Sequence, residues 1–127
     1  SLEIKIPLNR RTRNHINSMY FGALSVGADI TGGFLAMPHI QKSKRKIVLL
    51  FKDFNAKFLR RAESDVHFIC KDGQAVSALV KQAIKTRERQ NYKLKITIVK
   101  KIYVRMQCNE CWSSVVTNLC LLFALYH

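Results

Sequence analysis

Residues 14–37 read NHINSMYFGALSVGADITGGFLAM. The stretch is apolar and rich in small residues, and between Met19 and Met37 its single formal charge is Asp29. Phe21, Leu24, Ala28, Ile30 and Leu35 recur at helical spacing. Gly22, Gly27, Gly32 and Gly33 interrupt them, each costing about 1 kcal/mol relative to alanine inside a helix. Burial rather than intrinsic propensity must therefore hold such a helix. Its small residues let other backbone approach closely on more than one side, Gly22 included. The stretch predicts a central helix over about residues 19–37, wrapped by a sheet. Asn14, Asn17 or Ser18 would cap its start, and Pro38 would end it.

Asp29 is the sharpest residue of this segment. A lone carboxylate on a buried apolar helix must be paired, hydrogen-bonded or functional. One reading bonds it to loop amides or to an arginine. The other makes it an active-site acid or base, because carboxylates perturbed by their surroundings cluster in functional clefts.

Working outward, 127 residues make one domain, 1–127, with a substantial core. Lys plus Arg number 22 against 8 Asp plus Glu, a net charge of +14, which implies an anionic partner or surface without choosing one. Nucleic acid, acidic lipid and the phosphates of coenzyme A all carry such charge. No apolar run is long enough to span a bilayer. Four cysteines without a secretory signal suggest a reducing cytoplasm. The start at Ser1 instead of Met reads as a trimmed chain.

Before the helix, Leu2, Ile4 and Ile6 alternate with Glu3 and Lys5, a strand ended by Pro7. Arg10, Arg11 and Arg13 follow, where they do not suit the helix dipole. They fit either a solvated loop or an anion arriving at the helix N-terminus. After Pro38 the basic run HIQKSKRK (residues 39–46) suits a solvated loop or a nucleic-acid patch. Ile47–Phe51 reads as a strand covered on both faces. Phe54–Phe58 reads as a strand with one wet face, after a bend or bulge at Lys52-Asp53. Val66–Cys70 alternates into a turn at Lys71-Asp72-Gly73, so that Phe54–Cys70 forms an antiparallel pair with His67 on its polar face.

Val76, Leu79, Val80, Ala83 and Ile84 have helical spacing. By this spacing Ala75–Glu88 reads as a short amphipathic helix. Tyr92, Leu94, Ile96 and Ile98 begin a strand that either runs on or turns at Lys100-Lys101. Val115–Tyr126, apolar without period, suits a fully buried strand. Cys108 and Cys111 form a Cys-x-x-Cys pair without the second pair that structural zinc usually requires. Cys70 reads as a small core residue. No metal or other cofactor is expected. Neither a phosphate-binding glycine loop nor a Gly-x-Ser-x-Gly elbow occurs.

Asn14 to Asp29 resembles the active-site segment of hotdog-fold acyl-CoA thioesterases of the PaaI-like type. That segment reads Asn, two residues, Gly-Thr, one residue, His-Gly-Gly, then an acid seven residues beyond the second glycine. Asn14 matches its asparagine, Ser18 its threonine, Gly22 its second glycine and Asp29 its acid. Asn17, Tyr20 and Phe21 depart, standing for the first glycine, the histidine and the middle glycine. Arg11–Asp29 is closer still to an uncharacterised branch carrying RTRNHxxxMYFGALxVGAD. The likeness continues through FNAKFLRRAESDVHF (residues 54–68) to about Arg89, and beyond Tyr92 it fades.

The resemblance implies an α+β hotdog fold, a helix wrapped by about five or six antiparallel strands, paired through exposed sheet edges into a homodimer or dimer of dimers. In most hotdog domains the region of Ala75–Glu88 is largely strand, so strand is expected for its first part, with helix or loop near Lys81–Arg89, and an alternating strand and a polar end would close the chain. It also implies an acyl-CoA thioesterase-like activity. Asp29 would act as base or nucleophile, and amides near Phe21 and Gly22 would hold the oxyanion. Tyr20 keeps a hydroxyl donor in the histidine position, but with a reference pKa of about 10 it does no imidazole chemistry near neutral pH. Arg10, Arg11, Arg13, Arg60 and Arg61 are candidates for CoA phosphates by charge alone. The Tyr20 and Phe21 departures favour a second hypothesis, a non-catalytic acyl-CoA or fatty-acyl binding module. A basic nucleic-acid-binding protein is a third; its charge fits, but no recognised motif accompanies it.

Overall fold

A computed structural model describes residues 1–100 and 112–125. The elements run β1 (Leu2–Ile6), α1 (Phe21–Lys42), β2 (Ile47–Phe58), β3 (Val66–Cys70), α2 (Gly73–Thr86), β4 (Gln90–Lys100) and β5 (Trp112–Leu125). The five strands form one sheet in the order β1-β3-β4-β5-β2, every neighbouring pair antiparallel. Helix α1 lies across this sheet, and α2 packs beside it over β4.

The core is the interface between α1 and the even-numbered face of β3 and β4. Val66, Phe68, Cys70, Leu94, Ile96 and Ile98 are almost wholly buried, because alternation turns every second side chain toward the helix. Ala28, Thr31 and Ala36 meet them from α1. Small side chains bring the helix close to the sheet, closest at Gly27, where an added Cβ would run into the Phe68 ring. Thr31 hydrogen-bonds back to the Gly27 carbonyl at 2.6 Å, so its buried hydroxyl is satisfied.

Several expectations are corrected. Helix α1 does not stop at Pro38 but continues through it to Lys42. Proline's fixed φ is helical, and Pro38 is exposed, so the carbonyl it leaves without an amide can be hydrated. Lys44, at φ 53, and Ser43, whose Oγ–H donates to the Ile40 carbonyl at 2.6 Å, close the helix instead. At the other end, neither Asn14, Asn17 nor Ser18 is the cap. Tyr20 takes that position with no side-chain cap bond.

Ile47–Phe51 and Phe54–Phe58 are one strand, β2, with the expected irregularity between Phe51 and Asp53. β2 is an edge strand, so Leu50 and Phe51 are exposed and not covered on both faces. Nor do Phe54–Phe58 and Val66–Cys70 pair with each other: β2 pairs with β5, and β3 lies between β1 and β4. His67 shares a face with polar Glu3 but is buried, its Nδ1 2.7 Å from the Glu3 carboxylate.

Gly73–Thr86 is helix throughout, with no strand in its first part. The helical spacing was the physically relevant signal: Val76, Val80 and Ala83 form the buried stripe. Asp72, just before α2, accepts the Lys95 amide of β4 at 2.9 Å and ties helix to sheet.

Cys70 is a fully buried, unbridged core residue, as expected. The strand expected at Val115–Tyr126 is β5, and it completes the sheet between β4 and β2. The burial expected of its side chains lies outside the described residues. So do Cys108, Cys111 and a turn at Lys100-Lys101. Among the described residues, no helix is long and apolar enough to cross a membrane.

Candidate functional site

Between β1 and α1 the chain folds back on itself. The Tyr20 amide donates to the Thr12 carbonyl at 3.0 Å, and the Asn14 amide to the Ser18 carbonyl at 2.7 Å. Asn14 Oδ1 accepts the amides of Ile16 and Ser18, each at 3.0 Å. Asn17 supplies the left-handed residue, φ 57, that the turn requires. Asparagine tolerates that conformation better than most residues.

This turn, the start of α1 and the end of β2 enclose a cavity of ≈ 450 Å³. Its walls are mostly apolar: Met19 and Leu24 are buried, Ile16 and Leu59 are exposed at its margin. Phe21 and Phe58 stand edge to face with centroids 5.9 Å apart. Asn14, Ser18, Arg60 and Arg61 supply the polar lining. Four of the residues singled out by sequence thus meet here: Asn14, Phe21, Arg60 and Arg61.

The others do not. Arg10, Arg11 and Arg13 are exposed and line no part of this cavity. Tyr20 is half-exposed and its ring lies over Gly22, so the neighbour that crowds this glycine is a side chain, not the sheet. Asp29 lies on α1 seven residues beyond Gly22, about 10 Å along the axis at the usual helical rise. Sequence reasoning missed Met19, Leu24, Phe58 and Leu59. The one available signal was the apolar pair Phe58-Leu59 directly before Arg60-Arg61.

At the head of α1, the absence of a side-chain cap has a chemical consequence. The Ala23 and Leu24 amides both reach the Tyr20 carbonyl, at 3.1 and 3.3 Å. The Phe21 and Gly22 amides find no partner among the described residues. Two free N–H groups at the positive end of a 22-residue helix can accept developing negative charge.

Asp29 occupies a half-buried stripe of α1 with Gly22, Ser25 and Gly33. Beside it runs an exposed apolar stripe, Val26, Ile30, Phe34 and Met37. Among the described residues no donor or cation pairs with the Asp29 carboxylate. Desolvation by the surrounding apolar helix raises its pKa above the ordinary carboxylate value. The expectation that this charge must be paired is met by partial exposure instead.

Residues 1–110 match a family described as Domain of unknown function (DUF4442). Among curated proteins, none matches the sequence significantly. Solved structures do match. A protein of unknown function from Chlorobaculum tepidum superposes with a TM-score of 0.78 at 15% identity, covering 98% of this chain and 76% of that one. A Pseudomonas aeruginosa protein described as "Probable Thioesterase" gives 0.74 at 20% identity, covering 98% and 76%. A 4-hydroxybenzoyl CoA thioesterase, an aspartate-to-asparagine mutant complexed with 4-hydroxybenzoyl CoA, gives 0.65 at 10% identity, covering 98% and 84%. The fold is the hotdog fold, and structural neighbours with that fold include named thioesterases.

Proposed function

We propose, from the premise that this chain belongs to the DUF4442 family, that it is a hotdog thioesterase-like protein that hydrolyses an acyl thioester such as an acyl-CoA, with Asp29 as its carboxylate. The observation that carries this is Asp29 itself: a partly desolvated acid, without a partner among the described residues, on the helix whose first two amides are likewise without one. A raised pKa makes a carboxylate a stronger base, and removing a proton from attacking water is the step a thioester requires. The free Phe21 and Gly22 amides are suited to the oxyanion that forms at the thioester carbon, and the apolar cavity beside them to the acyl group. Tyr20 contributes at most a hydroxyl donor.

Within one protomer these parts do not converge. Oxyanion donors must lie within about 3 Å of the oxygen they stabilise, and about 10 Å of helix separates Gly22 from Asp29. A second copy bringing its own helix start to this Asp29 resolves the mismatch. β2 offers the means: a twelve-residue edge strand with Leu50, Phe51 and Phe58 exposed beside the apolar stripe of α1. Long apolar edges pair or aggregate unless covered, and a twofold pairing covers both copies at once. The assembly is therefore a homodimer through β2.

Asp29→Asn keeps the shape of the side chain and removes the base. Turnover of an acyl-CoA panel, read as free thiol released, is expected to fall roughly 10²–10⁴-fold while the variant stays folded. Unchanged turnover in the purified variant would remove Asp29 from the mechanism. Binding of acyl-CoA without turnover by the natural protein would select the non-catalytic binding module, which the tyrosine and phenylalanine at positions 20 and 21 also suit.

A further inference from the structure

Arg60 and Arg61 are adjacent, both line the cavity, and by charge alone are equivalent candidates for an anionic ligand. Hydrogen bonding makes Arg61 something else. Its Nε–H donates to Ser18 Oγ at 3.1 Å and its Nη2 to the Ile16 carbonyl at 2.8 Å, while Glu63 Oε1 lies 3.5 Å from the same Nη2. The guanidinium thus grips two successive features of the Asn14–Ser18 turn from a point more than forty residues away in sequence. Next to it, the Met19 amide donates to the Ala62 carbonyl at 2.7 Å. Ser18 and Met19 are buried by this arrangement, at 5% and 4% exposure.

We infer that Arg61 is a positioning residue: it clamps the Asn14–Met19 turn to the connection between β2 and β3 and so fixes one wall of the cavity. The value of this inference for substrate binding rests on the acyl-site reading above; the clamp itself does not. Three features carry it. The turn's internal bonds all involve Asn14, and none of them reaches the connection between β2 and β3. Arg61 and Ala62 together tie it down at Ile16, Ser18 and Met19, on the side that faces Phe58 and Leu59. Finally, the planar fork of arginine fits two acceptors in fixed directions, which a lysine ammonium on a flexible stem does not reproduce. The Nε and Nη2 of this guanidinium are engaged by a hydroxyl, a backbone carbonyl and a carboxylate.

The test compares Arg61→Lys with Arg61→Met, and adds Ser18→Ala, which deletes one clamp bond from the turn's side and leaves the arginine in place. Amide hydrogen exchange needs no ligand and reads the clamp directly. Exchange at Ser18 and Met19 is expected to accelerate at least about tenfold in both Arg61 variants, and less in Ser18→Ala, while the β3 and β4 amides keep their protection. Octanoyl-CoA, titrated at two salt concentrations, is expected to bind about tenfold more weakly to both Arg61 variants. Its salt dependence should equal that of the natural protein, because the Arg61 charge acts through the turn and Glu63 and not through contact with the ligand. Wild-type exchange in Arg61→Lys overturns the clamp. So does a loss of octanoyl-CoA affinity confined to Arg61→Met with a shallower salt dependence, since that is the signature of a charge contact. If the natural protein binds no octanoyl-CoA, the acyl-site reading fails and the exchange result still decides the clamp.

Discussion

The two faces of α1 are built from similarly apolar residues and have opposite fates. One face presents Ala23, Leu24, Gly27, Ala28, Leu35 and Ala36 and is buried against the sheet. The other presents Phe21, Val26, Ile30, Phe34 and Met37, between 37% and 61% exposed. The inner face is small and the outer face is large. Small residues let the helix lie close on the sheet, where Phe68 fills the space at Gly27. Phe21 packs edge to face on Phe58 within the protomer, and the homodimer proposed above would cover the rest of this stripe together with β2. Asp29 lies on the seam between the two, which is why it is desolvated without being enclosed.

The largest effect is expected on the outer face. Burying an Ile or Phe contributes about 1.5–3 kcal/mol. Ile30→Lys combined with Phe34→Lys should therefore weaken a dimer by roughly 3–6 kcal/mol, or about 10²–10⁴-fold in its dissociation constant. Sedimentation measures this, and circular dichroism should still report a folded protomer. A natural protein that stays monomeric at high concentration would break the comparison, leaving two faces that differ only in residue size.

The inner face answers to a smaller change. Gly27→Val drives a branched side chain toward the Phe68 ring, which is fully buried and has nowhere to go. Overpacking of this kind costs about 1–3 kcal/mol, several degrees of melting temperature for a domain of this size. Gly22→Val meets only the Tyr20 ring, which is 43% exposed and can swing aside. Its effect should be less than half as large. Equal destabilisation by the two would mean that Gly22 faces packed structure after all.

The smallest effect is at the seam. Burial holds the Asp29 carboxyl above the usual carboxylate value, so the folded state keeps its proton more readily than the unfolded chain. That contribution to stability is fully present below the unfolded carboxylate pKa, about 4, and is lost as pH rises through the folded value. Asp29→Asn removes the dependence. The difference in melting temperature, variant minus natural protein, should grow from pH 3 to pH 7. Catalysis by the ionised base should rise over the same range, with a midpoint above that of an ordinary aspartate. A constant difference across this range would show that Asp29 is not desolvated.

Much of this architecture was legible in the chain. Strands with one wet face announce themselves by alternation, as β1 and most of β4 do; in β3, His67 breaks the rule by being buried. The bulge of β2 was marked by Lys52-Asp53, the polar pair that ends the apolar run Ile47–Phe51. α2 was legible too, through Val76, Val80 and Ala83; strand was expected there because resemblance was weighed above periodicity. Pro38 misled because a proline's effect depends on whether the carbonyl it strands can reach water, and exposure is not written locally.

The candidate site divides the same way. Sequence by itself determined that a near-uncharged, glycine-rich helix would need burial, that Asp29 would be its chemical exception, and that arginines would abound. Those follow from composition and spacing, which are local. Only the tertiary structure decided which strands are neighbours, that Ile47–Phe51 is an edge and not a centre, that Asp29 lies some 10 Å from the helix start, and that Arg61 hydrogen-bonds to Ile16 and Ser18. Each of these depends on segments tens of residues apart meeting in space, and the bonds that distinguish Arg61 end on Ile16 and Ser18, atoms no local pattern connects to it.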